Sequence, residues 1–300
     1  MASAADNRRG IVAMVSAMAL FIGNDTLMKL AREVYPAGQA IALRTVFAVM
    51  AGLAMVFLLK EGGKLGLALR PIVLRRGLIE SAVALSFIWA LGLLPLGNIT
   101  AILMTSPLII VVLAVLLRIE RIGWRRTLAV AVGFCGVLLI VRPEADGFNL
   151  AAIVALISAI LVGWRDLLTR SIGSDVPSTV ISLTTTMLVG LVSIGYGLFE
   201  VWQPFWRIET LYLAGAAVLV STGSLCIVSA FRNTDIGVIS GYRYSIVVFA
   251  VVIGYVVWGE VPDALAIAGI ALIVGSGLYT MHRQRVRSDS NLKLPGGPPA

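Results

Sequence analysis

The amino-acid sequence predicts an all-α integral membrane protein whose ten transmembrane helices form two inverted five-helix repeats. Three observations predict this fold class: an apolar composition, ten apolar runs of membrane-spanning length, and a similarity between the two halves of the chain. Of the 300 residues, 59% are apolar and 13% are charged, with a mean hydropathy of +0.95. Because so few polar side chains cannot cover a water-soluble fold, most of the exterior is expected to face a lipid bilayer.

The net charge of +8 does not indicate a nucleic-acid partner, because Lys and Arg cluster at the ends of the apolar runs. This distribution is typical of membrane topology. Cys135 and Cys226 lie inside apolar stretches, where a free cysteine packs as a small hydrophobic residue. The two cysteines therefore predict no disulfide framework.

A transmembrane helix needs about 17–25 apolar residues, and the chain contains ten runs that fit. The stretch from Ser81 to Leu117 is too long for one helix, and the turn-forming residues 95–98 divide it in two. The predicted spans are Gly10 to Ala31, Pro36 to Leu59, Pro71 to Leu94, Asn98 to Leu117, Arg125 to Val141, Asn149 to Thr169, Pro177 to Phe199, Glu209 to Ala230, Asp235 to Trp258 and Pro262 to His282.

The distribution of cations predicts the orientation, because Lys and Arg in short loops resist translocation. One face of the predicted topology, which includes both termini, holds 18 of the 24 Lys and Arg residues, and the other holds 4. Both termini are therefore predicted to be cytoplasmic. The predicted organisation is a cytoplasmic N-terminus (1–9), a first repeat (10–142), a second repeat (149–282) and a disordered cytoplasmic tail (283–300).

The two halves match at an offset of 140 to 141 positions. The informative matches involve charged residues and proline: Asp25 with Asp166, Lys29 with Arg170, Pro36 with Pro177 and Glu120 with Glu260. Each half contains five spans, an odd number, so the second half is predicted to be inverted in the membrane relative to the first. Inverted repeats can exchange conformations, which predicts alternating access to a binding site near the midplane.

Two segments resemble a known transporter family. They are Thr105 to Glu120, followed by the glycine-containing stretch from Gly133 to Ile140, and Tyr244 to Glu260, with Gly269 and Leu278 behind it. Both resemble the EamA-type half of the drug/metabolite transporter (DMT) superfamily, in which an apolar helix ends in Gly-Glu. The first copy departs from the pattern, since Ile119 replaces the glycine.

The resemblance covers nearly all of residues 10–282. It implies ten helices in two inverted repeats, export of small metabolites, and a multi-pass protein of a bacterial inner (cytoplasmic) membrane. In overall likeness, without a diagnostic motif, the chain also resembles bacterial exporters of aromatic amino acids, of the YddG kind.

Ionisable residues within spans are candidate site residues, because burying a charge in a bilayer costs several kcal/mol. Arg243 is a candidate for binding a substrate carboxylate, and a structural ion pair is the alternative. Arg44 is a second such cation, with Asp25 as its alternative structural partner. Glu80 is interpreted as a lone carboxylate that binds an ammonium or exchanges a proton, and its alternative is a helix-end pair with Arg76. The other predicted substrate-binding residues are Asn24, Trp89, Met104, Trp164, Tyr242 and Tyr244.

Two pairs with i,i+4 spacing recur in both halves, Asp25 with Lys29 and Asp166 with Arg170. They are predicted to be structural pairs that hold or release the ends of a gate.

The predicted function is secondary transport or export of small metabolites, with neutral and aromatic amino acids as substrates. The expected partners are a small-molecule substrate, the lipid bilayer and, through Glu80, protons. A membrane-embedded enzyme is an alternative, but its chemistry needs clustered catalytic groups or metal ligands, and the only histidine is His282. No cofactor or metal is predicted. A non-transporting scaffold and a carrier of another metabolite or drug class are the remaining alternatives.

Overall fold

The computed structural model describes residues 4–116, 124–141, 149–173, 175–231 and 240–292. All regular structure in these ranges is helical. The α-helices are α1 (Ala4–Arg32), α2 (Ala37–Leu58), α3 (Pro71–Leu91), α4 (Leu96–Leu103), α5 (Ser106–Leu116), α6 (Trp124–Val141), α7 (Leu150–Arg170), α8 (Ser178–Gly197), α9 (Ile208–Phe231), α10 (Ser245–Trp258) and α11 (Ala264–Leu292). Two 3₁₀ helices, Gly62–Leu69 and Ser240–Tyr244, precede α3 and α10.

Helix boundaries follow residues that the sequence marks clearly. Pro36 and Pro177, which the repeat places at equivalent positions, precede the first residues of α2 and α8. The Asn149 side chain caps α7 by accepting hydrogen bonds from the backbone N–H groups of Ala151 and Ala152. Gly259 ends α10 in the left-handed conformation, with φ of 67°, which glycine adopts without a steric penalty.

The helices account for the ten predicted spans. In the described ranges, eight helical stretches are long and apolar enough to cross a membrane, with α4 and α5 together forming one of them. The apolar part of α6, Thr127–Val141, is shorter. Helix α3 completes the set and contains Arg75, Arg76 and Glu80 within its length. The all-helical, two-repeat fold is therefore confirmed.

The fourth span is a discontinuous helix. Helix α4 ends at Leu103 and α5 begins at Ser106. Pro107 lacks the N–H that would bond to the carbonyl of Leu103, and its ring would clash with that carbonyl in a continuous helix. In the ninth span, 140 positions later, the 3₁₀ helix ends at Tyr244 and α10 begins. In both halves an α-helix therefore begins at nearly equivalent positions, Ser106 and Ser245.

The packing of the helices follows the pseudo-twofold relation between the halves. Helix α1 packs along α9, and its counterpart α7 packs along α3. Helices α2 and α8 pack against each other, as do α6 and α11, and each of these pairs consists of equivalent helices. Buried side chains of α1, α2, α4, α7, α9 and α10 belong to one apolar core. Both repeats therefore contribute to the centre of the molecule.

The last helix extends beyond the predicted end of the second repeat. Helix α11 continues past His282 to Leu292, into the tail predicted to be disordered. The tail contains no proline or glycine before Pro295, and its Arg residues are good helix formers. The predicted ends at Leu117 and Asp235, together with Glu120, lie outside the described residues.

Candidate functional site

Four charged side chains inside the protein form what we call the α3–α7 network: Arg76, Glu80, Arg165 and Asp166. The Arg165 Nη1 atom donates to both carboxylate oxygens of Glu80, at 3.1 and 3.0 Å. Its Nε and Nη2 atoms donate to Asp166 Oδ1 at 2.9 and 2.7 Å. Arg165 is therefore held by two carboxylates on two helices.

Arg76 extends this network toward α8. Its Nη2 atom lies 3.9 Å from Glu80 Oε2, and its guanidinium donates to the hydroxyls of Thr169 at 2.9 Å and Thr185 at 2.6 Å. The network thus connects α3, α7 and α8. Charge-assisted hydrogen bonds of this kind are each worth about 1.5–3 kcal/mol, so these contacts hold three helices of the two repeats together.

A second group, the Asn24 cluster, consists of Asn24 and Asp25 on α1 and Arg44 on α2. The Asn24 Nδ2 atom donates to Asp25 Oδ1 at 2.9 Å, and Arg44 Nη1 lies 3.5 Å from Asn24 Oδ1. Asn24 is buried, whereas Asp25 and Arg44 keep accessible surface. Asp25 and Arg44 each lie seven residues from a helix end, about 10 Å along the axis. Their accessible surface therefore lies well inside the span.

The two groups act on one another electrostatically. Arg44 interacts with Glu80 of the α3–α7 network as well as with Asp25. Together they contain three arginines and three carboxylates, so the region has no net formal charge. Such a region can bind a ligand that carries both a positive and a negative group, because each group finds an opposite charge.

The structure brings some of the predicted site residues together and separates others. Glu80, Asn24 and Arg44 belong to the two charged groups just described. The interpretation of Glu80 as a lone carboxylate is wrong, because Arg165 binds both of its oxygens. Arg243 and Tyr242 are exposed on the 3₁₀ helix before α10, and no ion pair to Arg243 occurs among the described residues.

The predicted aromatic and thioether residues differ in their surroundings. Tyr244 is only 4% exposed, and it packs so closely against Gly277 of α11 that a side chain there would collide with its hydroxyl. Trp164 is 44% exposed on α7. Trp89 and Met104 are half-buried and pack against the apolar core. Trp164 is therefore the most exposed of these four residues, and Tyr244 is mainly a packing residue.

The predicted pair of Asp25 with Lys29 is not formed. Lys29 instead forms an ion pair with Glu260, which follows α10, and donates to the carbonyl of Leu94 at 2.8 Å. The second Glu260 oxygen accepts the backbone N–H of Leu96 at 2.7 Å. Lys29 binds these groups instead of Asp25 because together they satisfy several donors of a buried ammonium. In the other predicted pair, Asp166 binds Arg165, and the Arg170 side chain lies outside the described residues.

Sequence reasoning missed Arg165 and gave Arg76 only a secondary role. Arg165 lies five residues before the end of α7, so its position alone does not distinguish it from the cations that follow a span. The adjacent Asp166 is a sequence signal for a buried ion pair, because placing an acidic and a basic side chain in an apolar helix costs free energy unless they are paired.

Comparison with known proteins agrees with the fold and the repeat. The model of the EamA-like transporter family matches residues 8–142 and 149–281. The chain is 27% identical to an S-adenosylmethionine uptake transporter of Rickettsia bellii, over 72% of this chain and 74% of the relative. It is 31% identical to a riboflavin transporter of Rhizobium johnstonii, over 66% and 67%. It is 26% identical to a pseudopaline exporter of Pseudomonas aeruginosa, over 89% and 94%.

A solved crystal structure is similar to this fold. It has a TM-score of 0.62 and 18% sequence identity, covering 92% of this chain and 98% of the other. At this identity the likeness shows the fold alone.

Proposed function

Since the chain belongs to the EamA-like transporter family, we propose that it is a secondary transporter of small zwitterionic metabolites, with neutral and aromatic amino acids as its substrates. Transport occurs by alternating access between the two inverted repeats, around a site near the middle of the membrane.

One observation carries this proposal, the balanced set of three arginines and three carboxylates formed by the Asn24 cluster and the α3–α7 network. A strongly anionic substrate would favour an excess of arginines, and a purely apolar one would favour none. An amino acid presents one carboxylate and one ammonium, which matches charges of both signs. The exposed ring of Trp164 supports an apolar side chain on the substrate, since aromatic rings stabilise such groups by burial.

The names of the relatives suggest a second candidate, S-adenosylmethionine, which is taken up by relatives in Rickettsia species. This compound is itself an amino-acid derivative. Its head group would use the same charges, and its body is larger than the side chain of an amino acid. It therefore belongs in the same transport assay.

For the orientation, we propose that both termini are cytoplasmic in a bacterial inner membrane, as the 18 to 4 distribution of cations favours.

For the coupling to protons, we propose a role for Glu80. In this orientation Glu80 lies in the cytoplasmic half of α3. Because Glu80 is half-buried and bound by Arg165, a change in its protonation would weaken a contact between α3 and α7. This is the step through which a proton gradient would act.

The test is uptake by purified full-length protein in proteoliposomes. The panel contains labelled phenylalanine, methionine, threonine, riboflavin and S-adenosylmethionine, each measured with and without a pH gradient. We expect saturable uptake of phenylalanine and methionine, with threonine slower. Uptake of riboflavin without any amino acid would contradict the proposal, and uptake of S-adenosylmethionine alone would select the second candidate.

A further inference from the structure

The Asn24 cluster leaves its charges unpaired, unlike the α3–α7 network. In the described part of the chain, no ion pair joins Arg44 to Asp25, although the two are close enough to interact electrostatically. Within the described residues, the Arg44 guanidinium has one hydrogen bond, the 3.5 Å contact to Asn24, at the long limit for such a bond. A guanidinium has several N–H donors in a planar fork, so most of its binding capacity is free.

The Asn24 amide lies between the two charges in a defined orientation. Its oxygen faces the cationic Arg44, and its nitrogen donates to the anionic Asp25. The reverse orientation would place donor against donor and acceptor against acceptor. The amide therefore presents a negative end to the arginine and a positive end to the carboxylate, separated by one carbon atom. An α-amino acid also presents an anionic and a cationic group close together, since its carboxylate oxygens and its ammonium nitrogen are separated by two carbon atoms.

We propose that the Asn24 cluster is the subsite for the α-carboxylate and α-ammonium groups of the substrate, and that the Asn24 amide occupies it until the substrate displaces the amide. Arg44 binds the carboxylate and Asp25 binds the ammonium. This inference rests on the proposed function, because it assigns the head group of the proposed substrate to particular side chains.

The amide also explains how the subsite stays open. Opposite charges attract strongly in a medium of low dielectric constant, so Arg44 and Asp25 without a spacer would close into a direct ion pair. A substrate would then have to break that pair before binding. With Asn24 between them, the substrate replaces two hydrogen bonds that each have one charged partner by two bonds in which both partners are charged, which are stronger.

The test uses two analogues of phenylalanine that each lack one charged group. Phenethylamine lacks the carboxylate, and 3-phenylpropionate lacks the ammonium. Each competes with labelled phenylalanine for uptake into proteoliposomes that contain the full-length protein. The wild-type protein is expected to prefer phenylalanine over both analogues by about tenfold or more, since each analogue loses a charge-assisted contact.

Two variants should each lose the preference for phenylalanine over one of the two analogues. In Arg44→Gln, phenylalanine and phenethylamine become similar in inhibition constant, while 3-phenylpropionate stays weak. In Asp25→Asn, phenylalanine and 3-phenylpropionate become similar, while phenethylamine stays weak. Arg207→Gln, at an exposed arginine outside both charged groups, is the matched control, and both preference ratios should keep their wild-type values there. Asn24→Ala should weaken phenylalanine binding without changing either ratio.

The outcomes separate the subsite from the transport function. If the wild-type protein transports no amino acid, both proposals are overturned. If it transports phenylalanine but Arg44→Gln and Asp25→Asn keep the wild-type ratios, the subsite alone is overturned. Should Arg44→Gln fail to elute as a folded protein in size-exclusion chromatography, Asp25→Asn still decides, because unchanged discrimination against 3-phenylpropionate contradicts the assignment.

Discussion

Replacing Glu260 by Gln tests whether one carboxylate keeps one end of the molecule closed. Glu260 binds the Lys29 ammonium through one oxygen and the N–H of Leu96 at 2.7 Å through the other. Lys29 also lies 4.7 Å from the ring centroid of Trp258. The carboxylate therefore connects the last turn of α1, the start of α4 and the end of α10. We call these contacts the Lys29 latch.

The burial of Lys29 and Glu260 determines how much free energy the closed form should lose in this variant. The side chains of Lys29 and Glu260 are 9% and 19% exposed, so their interaction is stronger than that of a surface ion pair. Hydrogen bonds to charged groups contribute about 1.5–3 kcal/mol each. Glutamine keeps an acceptor for Leu96 but loses the charge, so we expect the closed form to lose about 2 kcal/mol, which is about 30-fold in the equilibrium between open and closed.

Distance measurements between spin labels can detect this change. Labels at Trp206 and Val261, both exposed at the Lys29 end, report how far α10 lies from the start of α9. Cys135 and Cys226, which are both free, are replaced by Ser in the background. If about 1 in 100 wild-type molecules is open, a 30-fold change makes about 1 in 4 open in Glu260→Gln. Double electron–electron resonance should then show a second, longer distance.

A charge reversal distinguishes the latch from a simple ion pair. Exchanging the charges, with Lys29→Glu and Glu260→Lys together, restores opposite charges. It also places a carboxylate against the carbonyl of Leu94 and an ammonium against the N–H of Leu96, which are both unfavourable. The double variant should therefore stay as open as Glu260→Gln. Rescue of the wild-type distance by the exchange would refute the reasoning, as would an unchanged distance in Glu260→Gln. Glu209→Gln, in the first turn of α9, is the matched control.

Four further predictions concern other parts of the structure. Glu80→Gln should abolish accumulation driven by a pH gradient in proteoliposomes, and retained accumulation would show that Glu80 is structural and that the gradient acts through another group. Trp164→Ala should express normally and lose phenylalanine transport more than threonine transport, so an unchanged rank order contradicts a binding role. Tyr244→Ala should leave that rank order intact but lower the unfolding temperature, because removing a buried aromatic ring costs about 3–5 kcal/mol. Gly136→Ala should also lower it, since the new methyl group would lie 2.7 Å from a backbone oxygen of α11, whereas Gly195→Ala, which meets open space, should not.

The helices could be predicted from the sequence because each is determined by a continuous apolar run and by residues at its ends. The division between α3 and α4 was predicted from residues 95–98, and α4 begins at Leu96. The end of α11 could not be placed as well, because the charged residues after His282 favour a helix by propensity and a disordered tail by composition.

The ion pairs could not be predicted from spacing alone. The i,i+4 rule pairs Lys29 with Asp25, but Glu260, which is 231 positions away, binds Lys29 instead. Spacing along one helix describes an isolated helix well. In a packed bundle a buried ammonium selects the partners that satisfy most of its donors, and those depend on how distant helices meet. The hydrogen bond from Arg165 to Glu80 could not be predicted for the same reason, because it joins two different helices.

The repeat nevertheless explains why one cluster is paired and the other open. At an offset of 141 positions, Asp25 and Asp166 are equivalent, so both halves keep a carboxylate at the same point of their first helix. The residue before it is Asn24 in the first half and Arg165 in the second. Because Arg165 is adjacent to Asp166, the second half forms its ion pair within one helix.

In the first half the cation lies on the neighbouring helix instead. Arg44 is equivalent to Thr185, which accepts a hydrogen bond from Arg76 in the second half. Moving the arginine from the first helix of the repeat to the second helix separates it from its carboxylate and leaves an amide between them. Each half keeps a carboxylate and an arginine, but only the first half keeps them apart. Two halves of common architecture therefore differ in their charged groups: the paired group holds helices together, and the open group is the one that we propose binds the substrate.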